Sequence, residues 1–269
     1  MSAHGEGKGK TALITGASAG IGWHLAHEFA RHGFGLVLVA RTQSKLDELA
    51  ALVSEQFGVS AVVQPADLTA PGAPRALFDE LERRQIPIDV LVNDAGMVHF
   101  GRFQEAPLEE LLGIVELNNR ALLAMTRLFV APMIRGGGGR VLNVASVAAF
   151  QPMPSMAVYA ATKAFTLSLG EALCEELRDT GVCVTTLCPG FTSTDMLDDI
   201  EGARSLAARM PEGAVLEPER VAREGYRACI DGVAVHIPGI SNQLAVRLIG
   251  LQPRWLVRAL GGILGRRVL

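Results

Sequence analysis

The sequence predicts an α/β fold, a single doubly wound parallel sheet of about seven strands with helices on both faces. Three observations predict it. Short apolar runs alternate with helical stretches of ten or more residues along most of the chain. The strand candidates are apolar on both faces, as strands covered on both sides must be. A glycine-rich turn follows the first run and precedes the first helical pattern. With 269 residues, 49% of them apolar, the chain suffices for one large core. No repeat, linker or low-complexity stretch divides it.

Residues 1–9 are polar and glycine-rich without an apolar centre, so a flexible tail is expected there rather than a signal peptide. The domain is expected over residues 10–240. Residues 11–15 (TALIT) read as the first strand, and Ile21, Leu25, Ala26 and Phe29 then repeat at helical spacing up to a stop at Gly33. Residues 34–40 (FGLVLVA) make a second strand, and Ser44 is expected to cap a helix over 46–57. A third strand at 60–64, a helix at 73–84 and a fourth strand at 88–92 follow. The stretch 108–134 reads as one long helix closed by four glycines, before a fifth strand at 140–145. The next helix carries Tyr159 and runs to about residue 179, ahead of a sixth strand at 182–187. Residues 191–216 show weak periodicity; a helix at 218–231 and a seventh strand at 233–237 complete the domain.

A net charge of −3 and a pI near 6.1 argue against nucleic acid as the partner. The four cysteines form no Cys-x-x-Cys and sit in apolar surroundings, so all four are expected as small buried hydrophobes in a reducing, cytoplasmic setting. The six histidines show no ligand spacing, and no metal is expected; His99 is placed at most at the border of a substrate cleft.

The chemistry concentrates in residues 146–163. Tyr159 and Lys163 stand four apart in a helix-forming stretch, so both side chains leave one face. A free phenol titrates near pH ~10, and a neighbouring ammonium is expected to lower that value, which makes the pair a tuned acid/base. Ser146 lies at the carboxyl end of the fifth apolar run, where its hydroxyl can meet a carbonyl beside Tyr159. Taken alone, Tyr-x-x-x-Lys is an ordinary surface pattern; the glycine turn Thr15-Gly16-Ala17-Ser18-Ala19-Gly20-Ile21-Gly22 gives it weight. Glycines there let a pyrophosphate approach a helix N-terminus. The second strand ends in Ala40-Arg41 with no acid until Asp47, which suits a 2′-phosphate better than a ribose hydroxyl. NADP(H) is therefore preferred over NAD(H).

These motifs, with Asn93-Asp94-Ala95-Gly96 and Pro189-Gly190, together resemble the short-chain dehydrogenase/reductases of ordinary, non-extended length, over residues 10 to about 239. The resemblance implies a Rossmann-like fold in which Tyr159 is the general acid or base and Lys163 binds the nicotinamide ribose and lowers the tyrosine's pKa. It implies that Ser146 stabilises the substrate oxygen. Asn118 rather than Asn119 would be the fourth catalytic residue, able to hold a helix distortion and a water. For the cofactor it implies Gly16, Ser18, Gly20, Ile21 and Gly22 at the pyrophosphate, and Asp67 with Leu68 at the adenine. Asn93, Ala95 and Gly96 would form the floor, and Pro189, Gly190, Thr192 and Thr194 would hold the carboxamide. Asp94, where the family usually has asparagine, is a departure.

The segments 97–103, 147–156 and 191–216 are apolar and without a cluster of cations, so the expected partner is an uncharged carbonyl or alcohol. The long helices are expected to pair into a homodimer or homotetramer, as the family's often do. Residues 241–269 form a basic amphipathic extension with five arginines and no acid, leaving 20 basic and 28 acidic side chains, a balance of −8, elsewhere. Three arginines and a proline argue against a membrane span over 244–264. The extension reads either as helices folded over the cleft or an oligomer contact, or as a surface for peripheral contact with anionic lipid. A non-catalytic dinucleotide-binding sensor or scaffold is the alternative to an enzyme.

Overall fold

Seven parallel strands form one sheet in the order β3-β2-β1-β4-β5-β6-β7. The structure is a computed structural model and describes residues 5–193 and 215–266. The strands are β1 (Thr11–Thr15), β2 (Gly35–Ala40), β3 (Ala61–Pro65), β4 (Val90–Asn93), β5 (Gly139–Val144), β6 (Val182–Leu187) and β7 (Val235–His236). Alternation along each strand feeds two cores. Ala12, Ile14, Leu36, Leu38, Val90 and Val92 face one side, against α1 (Gly20–Arg31), α2 (Gln43–Phe57) and α7 (Pro218–Asp231). Leu13, Val37, Val39, Leu91, Val141 and Val184 face the other, against α3 (Ala73–Arg83), α5 (Leu122–Arg135) and α6 (Ala157–Glu176). Burial on both faces is why these runs are continuously apolar.

The register places the site. Thr15 pairs with Asn93, Asn93 with Asn143, and Val144 with Leu187, so β1, β4, β5 and β6 end at one level. The strand order reverses between β1 and β4, and a doubly wound sheet opens its crevice at that point.

Several expectations need correction. The long helix over 108–134 is three pieces: α4 (Leu108–Val115), a π-helical segment (Glu116–Ala121) and α5. Ser44 is not a cap; α2 begins at Gln43 after an extended Thr42, and no side chain caps it. Strand β7 is only two residues, and β3, at the sheet edge, is half-buried rather than enclosed. Helix α6 ends at Glu176, where a 3₁₀ turn (Arg178–Thr180) tightens the chain into Gly181. The amino-terminal tail is anchored before residue 9: Gly7 is buried and donates to the His32 carbonyl at 3.1 Å, and Tyr226 donates to the Glu6 carboxylate at 3.2 Å. Of the cysteines, only Cys188 and Cys229 are buried; Cys183 is exposed because it falls on an outward position of β6, and Cys174 is intermediate.

Candidate active site

The glycine turn is built by backbone crowding. Thr15 Oγ1 donates to the Val92 carbonyl at 3.2 Å and accepts from the amides of Asp94 and Ala95, each at 3.1 Å. This draws the ends of β1 and β4 together. Gly16 turns there with φ +72°, and a Cβ on it would lie 2.9 Å from the Ala95 nitrogen. A Cβ on Gly22 would lie 2.4 Å from the Gly16 carbonyl oxygen and 2.6 Å from Asp94 Oδ2. Neither position accepts a side chain. Helix α1 starts at Gly20 without a side-chain cap, which leaves its N-terminal amides and dipole for a ligand.

Beside this turn runs a cavity of about 250 Å³. Gly16, Ser18, Gly20 and Ile21 wall one side, Arg41 with Asp67 and Leu68 the far end, and Ala95 and Gly96 the floor. Asp67 accepts from the Thr69 amide at 2.9 Å and hydroxyl at 2.7 Å; these bonds, with the Arg41 charge nearby, hold its carboxyl below the usual range. A second cavity of about 100 Å³ shares Ile21, Asp94 and Gly96 with the first and is lined by Ser146, Tyr159, Lys163, Pro189, Gly190 and Thr192. The two make one trough along the strand ends.

Within the second cavity three groups converge. Ser146 Oγ accepts from the Ala148 amide at 3.1 Å, makes a long 3.4 Å bond to the Pro189 carbonyl and lines the cavity beside the Tyr159 phenol. Lys163 Nζ donates to the Val144 carbonyl at 2.8 Å and lies 5.6 Å from the Tyr159 ring centre. Burial pulls the lysine down and the Asp94 carboxylate holds it up. The expected lowering of the Tyr159 pKa does not occur in this state. Removal from water pushes the phenol up to about 12, the Ser146 hydroxyl lowers it only in part, and Asp94 adds a further push upward. The lysine's charge is directed at Val144 and Asp94 rather than at the phenol.

Asn118 is buried in the π-helical segment. Its Oδ1 accepts from the Met97 amide at 2.8 Å, and its Nδ2 donates to the Met97 carbonyl at 2.9 Å and to Thr162 Oγ1 at 3.0 Å. The widened turn seats this two-way clasp of the loop that follows Gly96. Asn119 is only half-buried.

A family model described as short chain dehydrogenase matches residues 10–205. The chain belongs to the short-chain dehydrogenase family. Ketoacyl reductase HetN of Nostoc sp. is 36% identical over 185 residues, covering 69% of this chain and 64% of that protein. A very-long-chain 3-oxoacyl-CoA reductase of Pyrenophora tritici-repentis is 32% identical over 231 residues, 84% of this chain and 67% of the relative. The chain thus spans about two thirds of the length of these curated relatives. Among solved structures, a short-chain dehydrogenase from Sphingobium yanoikuyae in complex with NADPH superposes with a TM-score of 0.78 at 34% identity, over 90% of this chain and 94% of that one.

In this short-chain dehydrogenase the residues fit a dinucleotide: the cradle is one that a Cβ at Gly16 or Gly22 would close, and it opens on an uncapped helix N-terminus. Not every expected contact is there. Asn93 is no part of the cavity floor; its amide is turned into the sheet, donating to Thr126 Oγ1 at 3.0 Å and Asn143 Oδ1 at 2.9 Å. Gly22 acts by packing and not as lining. Thr194, with the apolar residues Met196 and Leu197, lies outside the described residues. His99 pairs with Glu110 at 2.8 Å and borders a separate small cavity with Phe103, Leu111 and Ser155. Sequence reasoning missed Thr15, Thr162 and the part played by Asp94. Only the last left a signal, its departure from the family's asparagine. Among the described residues no cluster of His, Cys, Asp or Glu is set to hold a metal, and no helix is long and apolar enough to cross a membrane.

Proposed function

We propose that the chain is an NADP(H)-dependent oxidoreductase that interconverts a carbonyl and an alcohol on an uncharged, apolar substrate. One observation carries the reading: Ser146, Tyr159 and Lys163 meet in a cavity that shares its wall with the glycine-turn cavity. When bound, the nicotinamide supplies hydride to a carbonyl carbon, or accepts it from an alcohol carbon in reverse. In reduction the Tyr159 phenol gives its proton to the substrate oxygen, and Ser146 Oγ exchanges its long bond to Pro189 for one to that oxygen. A phenol pushed up to about 12 carries its proton at neutral pH, as the donor in reduction must, while the same push makes it a weaker acid than a free phenol. Lys163 orients the ribose, and Asn118 keeps the Gly96–Met97 backbone in place beneath it. Arg41 at the adenine end supports a 2′-phosphate, and NADPH is bound in solved relatives such as the Sphingobium yanoikuyae dehydrogenase. Val98 and Met156 in the cavity wall support an apolar substrate, as do the names of the acyl reductases among the relatives.

Tyr159→Phe tests the reading. Turnover of ketones with NADPH should fall by at least a factor of ~100 while NADPH affinity by fluorescence titration stays within a few-fold. Near-normal turnover in that variant refutes the assigned role. Arg41→Ala should weaken NADPH binding by roughly tenfold and leave NADH binding unchanged; equal losses for both cofactors refute the 2′-phosphate assignment. Exposed Leu112, Val115, Leu123 and Phe165 on α4, the π-helical segment's flank and α6 support a homo-oligomer, and the free cysteines fit a reducing, cytoplasmic compartment.

A further inference from the structure

Beyond the domain, the chain forms two helices, α8 (Ile240–Gly250) and α9 (Arg254–Arg266). Their apolar side chains are not all turned inward. Ile240, Leu244 and Leu248 on α8, and Leu251 just past its end, recur at spacings of four, four and three, and they are 81%, 57%, 52% and 78% exposed. Trp255, in the first turn of α9, adds a large apolar ring at 63% exposure. Arg247, Arg254 and Arg258 stand exposed on the same two helices. From residue 241 to the end there is no acid to neutralise them, while the rest of the chain carries a balance of −8.

We propose that this stripe is a docking surface for an anionic lipid bilayer. Leucine, isoleucine and tryptophan would enter the headgroup boundary, with the arginines reaching back to the phosphates. The charge asymmetry favours this orientation, because the rest of the chain carries a net acidic excess that anionic lipid repels. It also argues against a second copy as the occupant. A two-fold contact of this stripe with itself sets arginine against arginine with no carboxylate to pair them.

The location gives the surface a purpose. Helix α8 packs on the 3₁₀ turn Val147–Phe150 that follows Ser146. Asn242 abuts Gly190, so closely that a Cβ there would lie 2.5 Å from its amide nitrogen. In α9, a Cβ on Gly261 would lie 3.3 Å from the Pro152 carbonyl. The helices that carry the docked face therefore pack on Gly190, which lines the second cavity, and on the segment after Ser146, so docking would bring the cleft toward the bilayer that dissolves a lipophilic substrate. This last step rests on the proposed activity; lipid binding does not.

The test is flotation of the full chain with vesicles of phosphatidylcholine alone and of phosphatidylcholine containing roughly a third phosphatidylglycerol. Flotation is expected with the anionic vesicles, falling severalfold between about 0.1 and 1 M salt, as screened charges require. The chain has only Trp23 and Trp255, so Trp23→Phe leaves Trp255 as the sole reporter, and its emission should shift to the blue on the anionic vesicles alone. The double variant Leu244→Glu, Leu248→Glu should lose flotation at least tenfold while keeping its circular dichroism melt and NADPH titration. Absence of flotation, equal flotation with both vesicles, or undiminished flotation of the double variant overturns the proposal. So does a wild-type dimer that the two glutamates dissolve without any vesicle binding, which assigns the face to a second copy.

Discussion

At Asp94 a partly buried carboxylate sits in the corner common to both cavities. Burial pushes its pKa up; the Lys163 ammonium and the Gly22 amide pull it back only in part. The family's usual asparagine would leave no charge here, so Asp94 sets the electrostatics of this particular site. Asp94→Asn removes the anion that raises Tyr159, and the phenol should then ionise at lower pH. The acidic limb of the pH profile for alcohol oxidation, where the phenol must be ionised to act as base, should move toward lower pH in kcat/KM; a limb that stays put or moves toward alkali contradicts this coupling. Stability carries the same sign. A carboxyl raised in the folded state binds more protons there than in the unfolded chain. Its contribution is present at low pH and lost as pH rises from the ordinary carboxylate range through the raised value. Urea midpoints of Asp94→Asn relative to wild type should therefore climb across that window.

Two elements are held by contacts that tolerate little change. Helix α6 approaches β6 so closely at Gly170 that a Cβ would lie 2.0 Å from Thr186 Oγ1, a hydroxyl that has no hydrogen-bond partner of its own. Gly170→Ala should cost about 1–3 kcal/mol in urea unfolding. Adding Thr186→Ala should recover most of the loss; additive losses would show that the two do not meet. In the π-helical segment, Asn118→Ala strands the amide and carbonyl of Met97, at about 1–3 kcal/mol. Hydrogen exchange at the Met97 amide should quicken in this variant, and an unchanged rate would remove Asn118 from its bracing role. The same clasp explains why a helix that reads as continuous is widened in the middle: a buried amide satisfied by a neighbouring loop competes with the regular ladder.

For the molecule as a whole, the sheet sorts its thiols. Cys188 and Cys229, packed in the two layers beside β6, are pushed up to about 12 by burial and should resist alkylation. Cys183, on the outward position of β6, should react first with a thiol reagent in native protein, with Cys174 slower. Cys188 and Cys229 should react only on unfolding. Mass spectrometry of partially labelled protein checks the order, and early labelling at Cys188 would contradict the packing.

Strand positions, the glycine turn and the pairing of Tyr159 with Lys163 were all readable from one dimension, because period, chain order and spacing are local properties. Their convergence follows from strand register, which a parallel sheet with two apolar faces leaves little freedom to slip. What the chain could not disclose depends on distance between remote residues. The resemblance already prefers Asn118, but its clasp on Met97 and the Thr162 hydroxyl is set by residues remote in the chain. Asn93 faces the sheet because Thr126 and Asn143 wait there. The Tyr159 phenol moves upward, against the simple expectation from its lysine, because desolvation and Asp94 outweigh a cation turned toward Val144. The outward face of α8 is equally invisible to spacing, since an amphipathic helix has the same period whichever side it presents to water. Free energy in these cases is set by what surrounds a group, and only folding decides the surroundings.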